Sequence, residues 1–144
     1  MNKKAERVMA FDWGLKNIGV AVGTRALGTS QPCAVIKAKD GSPNWTEVET
    51  LIDTWSPALL VVGDPLNIDG SDAEITPRAR RFARQLEGRF GLTVVMVDER
   101  LSSHAAKSEQ AALGHNGDYR KRPIDAEAAN LILQTWLTGD TDTN

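Results

Sequence analysis

Cysteine and histidine are scarce in this chain of 144 residues: one cysteine and two histidines. The single cysteine, Cys33, excludes an internal disulfide and fits a reducing compartment. With His104 and His115 far from it, and no C-x-x-C or H-x-x-x-H spacing, the chain lacks the donors for a structural zinc site. Long apolar runs are absent too. The most apolar one, Ala58 to Val62, is far short of the roughly 20 residues that a bilayer requires. The charged opening MNKKAERV is not followed by the apolar stretch of a secretion signal, so a cytosolic protein without a membrane segment is expected. An excess of basic charge is also missing, since the formal net charge is −2. That weighs against tight, sequence-independent nucleic-acid binding. No G-x-S-x-G string and no placed Cys–His pair offers a protein nucleophile.

What is present is an ordinary globular composition, 41% hydrophobic and 25% charged, of a length that fits one domain over residues 1–138 with a polar tail at 139–144. Basic charge is local. Arg78, Arg80, Arg81, Arg84 and Arg89 face a single acid, Glu87, and residues 120–122 are Arg-Lys-Arg.

Apolar runs at 8–13, 17–23, 33–38, 58–63 and 92–97 read as strands. Apolar spacing predicts helices from Asn44 to Trp55, over 75–90, over 102–113 and over 124–138. In the last of these, Ile124, Ala128, Leu131, Ile132 and Trp136 are the expected core face. The order predicts an α/β fold: a mixed five-stranded sheet, an antiparallel meander followed by parallel βαβ units, with helices on both faces. Ligands of such sheets gather at the carboxyl ends of the central strands.

Carboxylates stand at those ends. Asp12 closes an apolar strand, where an ionised group is costly unless it is paired or bound to metal. Asp64 follows ALLVVG, Asp98 and Glu99 follow LTVVMV, and Asp125 opens the last helix. If the first, fourth and fifth strands are parallel neighbours, these acids emerge at one sheet edge. Converging hard oxygens suit Mg²⁺ or Mn²⁺, the usual arrangement for metal-assisted phosphoryl transfer. Plainer roles compete. Asp125 could be a helix N-cap, Asp98 a turn residue, Glu99 a surface partner of Arg100 or Arg81, and the arginines of 75–90 a solvated face.

Four strings go further: AFDWGLKNIGVAVG (10–23), VVGDPLNIDGSDAEITPRARRFARQL (61–86), VDERLSS (97–103) and IDAEAANLILQTWL (124–137). In order and spacing they resemble the YqgF/RuvX family over nearly the whole chain. The resemblance implies an RNase H-like fold close to RuvC-type Holliday junction resolvases. It also implies a nuclease that matures the 5′ end of precursor 16S ribosomal RNA in the bacterial cytoplasm. The family's metal-binding, catalytic acids fall on Asp12, Glu99 and Asp125. Its D-E-R arginine falls on Arg100, and Lys16 matches a family lysine suited to phosphate. Arg78 and Arg81 are further candidates for the nucleic-acid backbone. RNA, naked or in a ribosomal particle, or branched DNA are the expected partners, met by a monomer or a homodimer.

Three positions depart from the family pattern. Asp64 stands where an apolar or aromatic residue is usual, and is either an extra ligand or a charge that repels substrate. Ser103 replaces a threonine, and Ala126 a common serine. Other functions compete. D-x-G-x-x-x-x-G-V also resembles the phosphate hairpin of actin-like ATPases, but those need two copies of the fold. A binding factor that does not cleave nucleic acid would gain nothing from three carboxylates facing phosphate.

Overall fold

A computed structural model describes residues 7–99 and 124–142, with side chains of the final helix described over 126–139. The expected helix 102–113 and loop 114–122, with Arg100, Ser103, His104, His115 and the Arg-Lys-Arg run, lie outside the described residues.

Strand β1 (Arg7–Asp12) pairs antiparallel with β2 (Asn17–Thr24), with Ala10 opposite Ala21 and Asp12 opposite Gly19. Gly14 permits the connecting turn, because a Cβ there would sit 2.6 Å from the Asn17 carbonyl oxygen. β3 (Thr29–Lys39) runs antiparallel to β2 and is almost twice the length expected from its apolar core at 33–38. Its polar beginning is held by pairing with β2, and Pro32 is accommodated next to a register shift at Val20/Ala21. β4 (Ser42–Pro43) caps only Ala38 and Lys39 of β3.

Helix α1 (Trp45–Trp55) starts because the Asn44 side chain accepts hydrogen bonds from the Thr46 and Glu47 amides. It ends at Ser56, in a left-handed conformation before Pro57. β5 (Leu59–Asp64) follows, then α2 (Thr76–Phe90), which has Pro77 in its first turn and stops at Gly91 with φ of 67°. β6 (Thr93–Asp98) completes the sheet, and α3 (Ile124–Asp142) lies across it.

The sheet order is β4-β3-β2-β1-β5-β6, with β1, β5 and β6 parallel. It is therefore the expected mixed sheet with six strands rather than five. The added one, β4, has two residues and no periodicity by which sequence could reveal it. Period-two alternation divides β1 between two cores. Met9 and Phe11 face α1 and α2 in a core with Leu60, Val62, Phe82 and Leu86. Val8 and Ala10 face α3, with Val61, Val97, Ala129 and Leu133.

The buried stripe of α3 keeps Ile132 from the expected face but is otherwise shifted. Ala126, Ala129, Ile132, Leu133 and Leu137 are buried, while Ala128, Leu131 and Trp136 are only partly so. Small and apolar residues surround most of this helix, so spacing alone cannot choose its inward side.

Candidate active site

Asp12 ends β1 two residues after Ala10, which places it on the α3 face of the sheet. Phe11 is in register with Val62 of β5, so Gly63 is the next step beside Asp12, about 4.8 Å away across the strands. Gly63 is in register with Val97 of β6, and Glu99 stands two residues beyond Val97 on the same face. The side chain of Glu99 lies back across this row. A Cβ built on Gly63 would be 2.5 Å from Glu99 Oε2 and 2.7 Å from its Cγ. The same Cβ would be 2.6 Å from Ile132 Cδ1 of α3. Gly63 is thus a bare floor over which the Glu99 side chain lies, one strand step from the position of Asp12, and Ile132 is the wall above it. Both acids are half-buried at the carboxyl edge of the parallel strands.

Helix α3 runs toward that edge at its N-terminal end. Trp136 lies near the opposite edge, 5.5 Å from the guanidinium of Arg25, just past the end of β2 that pairs with Arg7. Ile132 covers Gly63. Asp125 is seven residues upstream, so its backbone projects about 10 Å further toward the carboxyl edge at 1.5 Å per residue. The Asp125 side chain lies outside the described ones. Among the described residues no three acids, histidines or cysteines form a ready metal cage; Asp12 and Glu99 provide two donors of the hard-oxygen kind.

Asp64, the extra carboxylate of the sequence, leaves the sheet on the other face. It follows Val62, which packs under α2, and its two oxygens accept bonds of 2.9 Å from Arg80 Nε and Nη2. Arg80 also reaches Asp72 at 3.4 Å. These bonds hold the Arg80 guanidinium charged even more firmly than usual. Asp64 is therefore neither gathered with Asp12 and Glu99 nor left to repel substrate. Asp98, opposite Asp64 in register, follows Met96 onto this same α2 face.

Lys16 is exposed in the turn after Asp12, and its carbonyl accepts the Ala38 amide at 2.8 Å. Arg78 and Arg81 are exposed on the first two turns of α2, across the sheet from the Asp12–Glu99 pair. Trp13, next to Asp12, turns to the α2 side. Its Nε1 donates to the Gly41 carbonyl at 2.9 Å and its ring lies under Arg78, 5.6 Å from the guanidinium. Gly63 and Trp13 were not singled out from sequence. Each stands inside a quoted string, but its role depends on which strands are neighbours.

Comparison with known proteins places the fold and the family. A family model described as RuvX, Holliday junction resolvase, matches residues 6–139. A protein of Pseudomonas aeruginosa is 47% identical over 141 residues, 98% of each chain, and one of Marinobacter nauticus is 48% identical over 130 residues, 90% of this chain and 91% of that one. Both carry the name "Putative pre-16S rRNA nuclease". Among solved structures, Thermus thermophilus RuvC in complex with a Holliday junction substrate superposes with a TM-score of 0.57 at 16% identity, covering 95% of this chain and 96% of that one. The fowlpox virus Holliday junction resolvase gives 0.53 at 15%, covering 92% and 98%. At such identities the superpositions speak for the fold, which is the RNase H-like fold of RuvC-type resolvases.

Proposed function

The chain belongs to the RuvX family, and from that premise we propose that it is a cytoplasmic, metal-dependent endonuclease that matures the 5′ end of precursor 16S ribosomal RNA. The observation that carries this reading is the Glu99 carboxylate laid over Gly63, in the register position next to Asp12, at the carboxyl edge of the parallel strands.

The donor chemistry fits a divalent ion. Asp12 and Glu99 are hard oxygens on one face, and the start of α3 brings the Asp125 backbone toward them. Asp12, Glu99 and Asp125 would hold Mg²⁺ or Mn²⁺, which when bound activates water and offsets charge on the phosphate. The protein supplies the frame. Gly63 leaves the space that the Glu99 side chain occupies, and Ile132 closes the α3 side of it with apolar surface. Lys16, exposed in the turn after Asp12, is one candidate to meet a phosphate, and Arg100 is a second from the family motif. Hydrolysis would form one P–O bond to water and break the bridging P–O bond, with the proton lost by the water balanced by the one gained by the departing oxygen.

A four-way DNA junction is the second reading, supported by the resolvase fold. It would require a two-fold dimer to cut symmetric strands. The test places a labelled precursor rRNA fragment beside a four-way DNA junction, with Mg²⁺ or Mn²⁺, and compares the natural chain with Asp12→Asn. Cleavage of RNA that is lost in the variant, with its thermal unfolding unchanged, is the expected result. Cleavage of the junction alone would transfer the reading to DNA. Full activity of Asp12→Asn would remove the carboxylate assignment.

A further inference from the structure

Across the sheet edge from the two carboxylates, a cleft of about 200 Å³ opens between the β3–β4 turn and α2. Trp13 and Phe82 form its apolar base, Asp40, Gly41 and Ser42 one wall, and Arg78, Arg81 and Gln85 the other. The base is fixed. Phe82 and Trp13 are buried, and the Gly41 amide donates to the Leu15 carbonyl at 2.8 Å. A side chain at Gly41 would strike the Trp13 ring, and its φ of 86° suits glycine.

The basic wall is only lightly neutralised. Arg78 Nη2 donates to the Asp40 carbonyl at 2.7 Å, while its contact with the Asp40 carboxylate is long, 3.6 Å. The two side chains are 47% and 82% exposed, so this ion pair is of the weakest kind. Arg81 makes no ion pair among the described residues. By contrast Arg80, one residue away, is locked to Asp64 by two bonds. The helix therefore spends Arg80 on its own fold and leaves Arg78 and Arg81 directed at one cleft. Trp13 joins that cleft to Asp12 through a single peptide.

We propose that this cleft is a backbone-phosphate subsite for the nucleic-acid substrate, in which phosphate takes the place of the Asp40 carboxylate on Arg78 and Arg81 completes its binding. The subsite deepens the nuclease reading and rests on it. Asp40 is then a resident stand-in for phosphate. It keeps Arg78 over the Trp13 ring when no substrate is bound, and it is surrendered at little cost because the pair is long and exposed. A phosphate offers several acceptor oxygens to a planar guanidinium, a stronger arrangement than the one it replaces. The strand would pass from the carboxylates over the edge of the sheet to the α2 side.

The test is anisotropy of a labelled precursor rRNA fragment in chelator, over a range of salt, beside cleavage of the same RNA with Mn²⁺. Asp40→Asn keeps a residue that tolerates the φ of 51° and retains the backbone bond to Arg78. It is expected to bind RNA more tightly, whereas a loss of stability alone would weaken binding. Arg81→Gln is expected to bind more weakly and to lower the slope of log K against log salt by roughly 0.7 to 0.9, one phosphate contact. Arg84→Gln, outside the cleft, should match the natural chain. Unchanged or weaker binding by Asp40→Asn, or an Arg81→Gln slope equal to the natural one, overturns the subsite; if cleavage persists, the nuclease reading survives. Absence of both binding and cleavage in the natural chain overturns the two together.

Discussion

Replacing Gly63 with alanine tests the central geometry with one methyl group. The added Cβ would lie 2.5 Å from Glu99 Oε2, 2.7 Å from Glu99 Cγ and 2.6 Å from Ile132 Cδ1. Comfortable carbon contacts are about 3.5 to 4.0 Å, so each neighbour must retreat by roughly 1 Å. Ile132, on α3, is fully buried against the sheet, whereas Glu99 is half-buried at an open edge. Glu99 should yield first. Overpacking of this kind costs about 1 to 3 kcal/mol. At about 3 °C per kcal/mol for a domain of this size, Tm should fall by about 3 to 9 °C. A reacting group misplaced by about 1 Å costs on the order of 100-fold in rate, and that is the expected fall in kcat. Cleavage is measured well below the lowered Tm. The effect runs through Glu99, so adding Gly63→Ala to Glu99→Gln should lower Tm again but leave the residual rate almost unchanged. Gly63→Ala with natural kcat would refute the placement of Glu99, and so would a further large loss in the double variant.

Other expectations follow from the rest of the sheet. Asp64→Asn should keep natural cleavage and lower Tm, because Asp64 serves Arg80 on the far face; loss of cleavage with a natural Tm would return it to the metal donors. Trp13→Phe removes the donor to the Gly41 carbonyl and should cost about 1 kcal/mol in denaturant unfolding, while an unchanged midpoint would mean that the bond contributes nothing. Burial pushes the Cys33 thiol up, partly offset by a hydrogen bond with Trp55. Thiolate is then scarce at neutral pH, so alkylation of the folded protein should be slower than that of free cysteine and should accelerate as pH rises. Rapid alkylation at neutral pH would contradict the burial.

The strands β1, β5 and β6 were readable because each is an apolar run closed by an acid, and α1 and α2 because their apolar stripes are narrow. The polar first residues of β3 and the two residues of β4 were not. They are strand only because a neighbour supplies their hydrogen bonds. Asp12 and Glu99 were both legible as candidates, one from the cost of its burial and one from the D-E-R string. Their placement on one face, on either side of Gly63, was not legible, since it requires the β1–β5–β6 order and the parity of each strand. A shift of one residue sends Asp64 and Asp98 to one face and Asp12 and Glu99 to the other. The arginines of α2 show the same limit. Arg80 and Arg81 are adjacent and chemically identical, but about 100° of helix rotation gives one to Asp64 and the other to the cleft.

The wall that Ile132 places over Gly63 also has a consequence for synthesis. The chain emerges from the ribosome N-terminus first, so β1 and β5 can pair long before residue 132 exists. Until α3 is made and docked, Glu99 has a floor but no wall, and the backbone that carries Asp125 has no sheet to rest on. The edge that carries Asp12 and Glu99 thereby stays open on its α3 side in the nascent chain until that helix has docked.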